Sequence, residues 1–268
     1  MWPGFRNVLK KRIAEDKTLS MKKIFLYILV VVLFNPFTFC TKTSDKTSPT
    51  TAGKGGSLAR FTIAGNYLYT VDKSTLKSYD ISSASSPVLK DSIEVGFEIE
   101  TIFPFKDKLF IGSTSVVHIF SIEDPEHPVK LSTAISPDVL RRCDPVVAKD
   151  SVAYATLRTN GACGGTQSIL AVYNIKDITN PVQVNWDFIA EPYGLGYADN
   201  ALYVCDKSSL IVYDISDAYN PVRATIVPDN EFIDVIPYGN TLVCWIKKGI
   251  ALYDITNRLQ PQFVTTIN

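Results

Sequence analysis

Five times along this chain an aromatic residue is followed two places on by isoleucine and eight places on by proline. The copies are Tyr79-Asp80-Ile81…Pro87, Phe120-Ser121-Ile122…Pro128, Tyr173-Asn174-Ile175…Pro181, Tyr213-Asp214-Ile215…Pro221 and Tyr253-Asp254-Ile255…Pro261. Successive aromatics lie 41, 53, 40 and 40 residues apart, while the eight-residue step never changes. A fixed period near 40 marks a repeat architecture, in which each unit buries its apolar faces against its neighbours.

Within each unit the apolar pattern breaks into four short segments, which in the fourth are Leu195–Asp199, Leu202–Asp206, Leu210–Ile215 and Val222–Val227. The first two segments are joined by Gly65-Asn66, Lys106-Asp107, Lys149-Asp150, Asp199-Asn200 or Gly239-Asn240. Such pairs tolerate the positive φ that two-residue hairpins need. Four antiparallel strands in about 40 residues make one propeller blade. The third segment is apolar on nearly consecutive positions, as in Ile250-Ala-Leu-Tyr253, which suits a sheet covered on both faces. The expected fold is all-β: a five-bladed β-propeller of four-stranded antiparallel blades over residues 58–268. The recurring Asp80, Asp214 and Asp254, with Asn174 and Ser121 in their place elsewhere, read as short acceptors for the following turn rather than as catalytic groups.

Leu210-Ile-Val-Tyr-Asp-Ile-Ser216 and Ile250-Ala-Leu-Tyr-Asp-Ile-Thr256, each with its proline, resemble the LVIVD-repeat family. That resemblance implies a secreted bacterial β-propeller. The plan is also similar to WD repeats, which implies strands A to D from the axis outward, with the post-proline strand as D. The ring then closes without an exchanged strand. A rival frame makes the post-proline strand innermost and has the C-terminal strand complete the first blade.

With 27 basic and 27 acidic side chains, nothing points to a nucleic-acid partner or a polybasic membrane surface. Lys22 and Lys23 precede eleven apolar residues, Ile24 to Phe34. That run is short for a membrane span and suits a signal-peptide core. Residues 1–20 then read as an upstream extension and 21–40 as the signal. Its end at Cys40 resembles a bacterial lipoprotein signal, with Phe39 where a small residue is usual, and implies lipidation of Cys40. An ordinary cleaved secretory signal or an uncleaved anchor are the alternatives. Residues 41–57, rich in Ser, Thr, Lys and Gly, read as a flexible tether. The expected location is the bacterial cell envelope, with the outer membrane favoured.

The 53-residue step places about twelve extra residues between strands B and C of the third unit, around 159–168. Cys143 enters strand A of that unit and Cys163 lies in the insertion, so an exported chain would pair them as a disulfide. The stretch also looks like a segment of one LVIVD subgroup. Cys205 and Cys244 read as buried free thiols.

Aligning the units through Leu68, Leu109, Val152, Leu202 and Leu242 puts Arg60, Thr101, Asp144, Gly194 and Asp234 around one channel mouth. Arg141, Arg142, Arg158, Glu191, Tyr193, Asp206 and Lys207 fall on the same face. Convergent polar groups there make a candidate pocket, or else a solvated rim of ion pairs. The favoured function is a non-enzymatic module that binds an envelope protein, a peptide or a glycan, with no cofactor and no metal. The two histidines, His118 and His127, are too separated for a triad or a His-rich metal site. A glycosidase using Asp144 and Asp234, with Glu191 or Glu231 in reserve, is the enzymatic alternative. A structural envelope component, with calcium on the mouth carboxylates as a variant, is the third.

Overall fold

Each run of β-branched and aromatic residues between turn signals is extended. The computed structural model describes residues 56–113, 116–135, 145–159, 167–228 and 230–268. All of these lie in one unit running from Thr47 to Asn268. The first sheet holds β1 (Phe61–Ala64), β2 (Tyr67–Asp80), β3 (Val88–Phe105), β4 (Lys108–Ser113), β5 (Val116–Ser121) and β6 (Val129–Ile135) in chain order. The second holds β7 (Val146–Lys149), β8 (Val152–Leu157), β9 (Ser168–Asn174) and β10 (Val182–Ile189). The third consists of β11 (Pro192–Ala198), β12 (Ala201–Asp206), β13 (Ser209–Asp214) and β14 (Val222–Pro228). The fourth is β15 (Phe232–Tyr238), β16 (Thr241–Ile246), β17 (Gly249–Asp254) and β18 (Gln262–Ile267).

This is an all-β propeller of antiparallel sheets, but it shows four sheets where five blades are expected. The first two repeat units share one six-stranded sheet, for a local reason. β2 stays extended through its own hairpin, where Lys73 takes a φ of 46°. β3 runs from the outer strand of the first unit into the inner strand of the second, turning at Gly96 (φ 149°) and Glu98 (φ 57°). Two expected strand pairs therefore merge.

The order of strands from the axis outward follows from burial. β1, β3, β11 and β15 line a central cavity, whereas every residue of β18 is exposed. β18 pairs with β17 alone, so the frame with the post-proline strand innermost is set aside. The hairpin residues behave as their composition dictates: Gly65, Lys106, Asp150, Asp199 and Gly239 all have φ between 51° and 59°. In the third unit, however, Lys149 pairs with Val152, so the turn is Asp150-Ser151, one residue later than expected. Ala153, not Val152, is the counterpart of Leu202, and Pro145 replaces Asp144 in the aligned ring.

The repeated phrase is a turn device. Oδ1 of Asp80, Asn174, Asp214 and Asp254 accepts the N–H two residues on at 2.9, 3.0, 2.8 and 2.7 Å. Ser121 Oγ does the same at 3.3 Å. Each proline then ends the turn, and the outer strand begins on the next residue. The pairing of strands C and D slips by one residue beside the repeated aromatic in all five units, a bulge that sharpens the local twist.

Neighbouring units are joined by four apolar cores. Tyr69 and Val71 pack on Leu109 and Ile111, Phe110 on Ala153 and Tyr173, Tyr154 on Leu202 and Tyr213, and Tyr203 on Leu242 and Tyr253. Three buried tyrosines also donate their hydroxyls to the next unit's turn: Tyr69 to Pro125 O (2.9 Å), Tyr154 to Ala218 O (2.7 Å) and Tyr203 to Arg258 O (2.8 Å). Phe110 cannot donate, and Ser132 Oγ bonds Ile178 O at 2.6 Å instead. Tyr203→Phe is expected to cost about 1 kcal/mol in a urea melt, since one buried acceptor loses its partner. An unchanged midpoint would show that this tie contributes nothing.

Among the described residues no apolar core joins the last unit to the first. Tyr79 is half-buried, whereas its counterparts Phe120, Tyr173, Tyr213 and Tyr253 are 0–2% exposed. Trp245 on the facing side of the fifth unit is 52% exposed.

Candidate functional site

Three of the five inner strands bulge at the same end. Their pairing slips between Ile99 and Thr101, between Pro192 and Leu195, and between Phe232 and Asp234. Bulges re-aim side chains at sheet rims, and these present Glu100, Tyr193 and Ile233 where the expected ring of mouth residues lies.

Three polar residues expected on that face turn out to be buried. Asp206, 7% exposed, accepts the backbone N–H groups of Glu191 (2.7 Å) and Lys207 (2.9 Å) and so fixes the entry to β11. Thr101 is 2% exposed. Asp234, 9% exposed, holds the start of the domain across the ring. Its Oδ1 accepts Ser57 Oγ–H at 3.3 Å and Val235 N–H at 2.9 Å, and its Oδ2 accepts Leu58 N–H at 3.3 Å. Ser57 Oγ in turn accepts Leu195 N–H at 2.7 Å, and Ala59 O accepts Ile102 N–H at 2.9 Å. Residues 56–59 thus form a strap over the channel mouth, although Gly56 and Ser57 read as the end of the tether. Burial pushes the Asp234 carboxyl up to about 6 in spite of these hydrogen bonds. The glycine gap at Gly194 exists to admit Asp234: a Cβ there would fall on Oδ1.

The accessible groups are Arg60, Arg158, Tyr193 and Glu100. Arg60 is exposed and the other three are half-buried. The Arg158 guanidinium sits 4.4 Å from the centre of the Tyr193 ring, and Thr156 Oγ1 fixes the Tyr193 carbonyl at 2.8 Å. Burial raises the Glu100 carboxyl above the usual range, and the charges of Arg158 and Arg60 draw it back. At the side, Lys207 and Glu191 pair at 2.9 Å, as do Lys247 and Glu231. Glu100 was the residue most easily missed, since the repeat alignment falls on its neighbour Thr101 and takes no account of the bulge.

Arg141, Arg142, Cys143, Asp144, Cys163 and Cys40 lie outside the described residues. Cys205 and Cys244 are buried free thiols in one core. His118 is buried beside Thr133, and His127 is exposed near Asp91. Among the described residues no cluster of three or more His, Cys, Asp or Glu is placed to hold a metal.

A profile of the LVIVD repeat matches residues 55–95, from the strap to the end of the first unit's outer strand. No curated protein matches the chain. Among solved structures, a protein of unknown function from Desulfotomaculum acetoxidans superposes with a TM-score of 0.61 at 9% identity, covering 80% of this chain and 68% of that one. The periplasmic gluconolactonase PpgL of Pseudomonas aeruginosa gives 0.56 at 13% identity, covering 76% and 67%. The computationally designed Ika8 protein gives 0.55 at 15%, covering 77% of this chain but only 60% of its own length. These likenesses carry the fold and no activity. The chain thus carries a match to the LVIVD repeat over residues 55–95 within an all-β propeller.

Proposed function

We propose that this propeller is a non-enzymatic binding module of the bacterial cell envelope. Its partner is a protein, peptide or glycan that presents carboxylates to the Arg60–Arg158–Tyr193 surface. Five repeat units form the ring, the six-stranded sheet supplying two of them. Lipidation of Cys40 and the tether 41–55 hold it at a membrane, and a Cys143–Cys163 disulfide staples the insertion beside the site.

The observation that carries the reading is how the polar groups at the mouth are used. Asp206 and Asp234, the buried carboxylates, are occupied by backbone amides. Arg60 and Arg158 form no ion pair among the described residues, and Arg158 is braced on an aromatic ring. A guanidinium pre-ordered by stacking keeps its fork of donors for a planar anion. Arginine and tyrosine are also the residues that dominate interface energetics. A hydrolase would instead need a pair of carboxyls free to meet substrate, whereas Glu191 and Glu231 are paired with lysines and Glu100 lies in the field of Arg60 and Arg158.

The test is binding to immobilised acidic and basic peptides of equal length. Acidic peptides should be retained and released by salt, and Arg60→Ala with Arg158→Ala should weaken retention at least tenfold without shifting the melting temperature. Equal retention of basic peptides, or an unaffected double variant, would move the site elsewhere.

A further inference from the structure

We infer that the central channel beneath the strap is a second binding site, one that takes an uncharged, largely apolar small molecule. The cavity measures about 480 Å³, within the range of small-molecule pockets. Gly56 and Ala59 of the strap close one end, and Asp199, Gly239 and Arg258 frame the other. That second end lies among the hairpin turns, on the face opposite Arg60 and Arg158. A molecule in the channel therefore does not compete with a partner at the mouth.

The wall determines the ligand class. Phe61, Phe103 and Tyr197 contribute aromatic surface, and Ile102, Leu195 and Ile236 contribute aliphatic surface. Phe61 is 62% exposed in spite of its position in an inner strand, so its ring is available for contact. The charged residues of the wall are Asp199 and Arg258, and they neutralise each other at 2.7 Å. Arg258 also donates to the carbonyls of Gly239 (3.0 Å) and Ile255 (2.8 Å). Among the described residues of the wall no unpaired charge remains to compensate an ionic ligand, and burying an uncompensated ion is costly.

Main-chain donors are scarce as well. Throughout β1, β11 and β15, and past Ile99 in β3, one edge has no strand partner, and on that side alternate amides face the axis. Ile102 N–H is taken by Ala59 O, Leu195 N–H by Ser57 Oγ, and Val235 N–H by Asp234 Oδ1. Two residues further along, β3 and β15 place Pro104 and Pro237, which have no N–H to offer. What is left is a mainly apolar channel, with the Tyr197 hydroxyl and Thr62 among its polar groups, which disfavours anions and accommodates rings and chains.

The probe pair is N-phenyl-1-naphthylamine and its sulfonated analogue 1-anilinonaphthalene-8-sulfonate, which share a skeleton and differ in charge. Fluorescence titration of the whole domain should show saturable binding of the neutral probe, with the anionic one at least tenfold weaker. Ala59→Trp, which fills the channel from the strap, should weaken the neutral probe at least tenfold. Ile236→Trp does so from β15 and serves if the first variant fails to fold. Arg60→Ala with Arg158→Ala should leave this binding unchanged, which separates the channel from the mouth. No saturable binding, equal affinity for the anionic probe, or undiminished binding in a folded filled variant would each overturn the assignment.

Discussion

Gly194→Ala is expected to lower the stability of the domain by about 3 kcal/mol, the upper end for overpacking a tight site. An alanine Cβ at this position would fall on the Asp234 carboxylate and come within 2.9 Å of the Asp234 Cα. A side chain can swing aside, but the Cα belongs to β15, so β11 and β15 must separate. Once they do, Asp234 loses its geometry toward Ser57 and Leu58, and the strap comes loose where, among the described residues, no apolar core joins the last unit to the first. Gly239→Ala is the control. Its φ of 58° strains an alanine, yet nothing lies within 4 Å of the added atom, so the cost should be about 1 kcal/mol. Urea denaturation of the two variants decides the matter. If Gly194→Ala costs no more than Gly239→Ala, the strands are not held together as tightly as the strap geometry requires.

Two buried groups should give opposite and nearly cancelling dependences of stability on pH. Asp234 is raised from 3.8 to about 6 on folding, chiefly by burial. Between these values the folded chain binds the proton and the unfolded chain does not, so stability falls as pH rises through the window. His118 is lowered from 6.5 to about 4, by burial and by the charge of Lys130. Here the unfolded chain binds the proton, so stability is lost as pH falls from 6.5 towards 4. Each difference is worth about 3 kcal/mol at most. Asp234→Asn should therefore unmask the histidine, and its melting temperature should drop steeply on acidification from about pH 6.5 to 4. His118→Gln should unmask the aspartate and become more stable over the same range. Parallel pH profiles for the two variants would refute the assignment.

The local chemistry of this fold is written in its residues. Tyr-Asp-Ile…Pro specifies a strand end, a turn closed by a side-chain acceptor and the start of an outer strand, because all its contacts fall within eight residues. The hairpin pairs declare their positive φ in the same way, and where Ser151 extends the third turn by one residue the alignment slips with it. The mouth was legible in part. Arg60 is the accessible polar side chain of the aligned positions and Arg158 stacks on Tyr193 at the same mouth, but Asp144 does not align, and Asp206 and Asp234 are structural. The merging of the first two units was hidden because β2 and β3 remain extended through positions that elsewhere end a strand.

The sequence by itself determined the repeating strands and their turns, since a contact repeated in every unit leaves a period that can be read, while the outward order of the strands came from their burial in the structure. Only the tertiary structure decided how the ring is closed, which acids remain free and where the channel opens. Those outcomes rest on Ser57 meeting Asp234 across 177 residues. A contact made once, between residues with no counterpart in the other units, leaves no period behind, and its partners come together only when the sheets have packed.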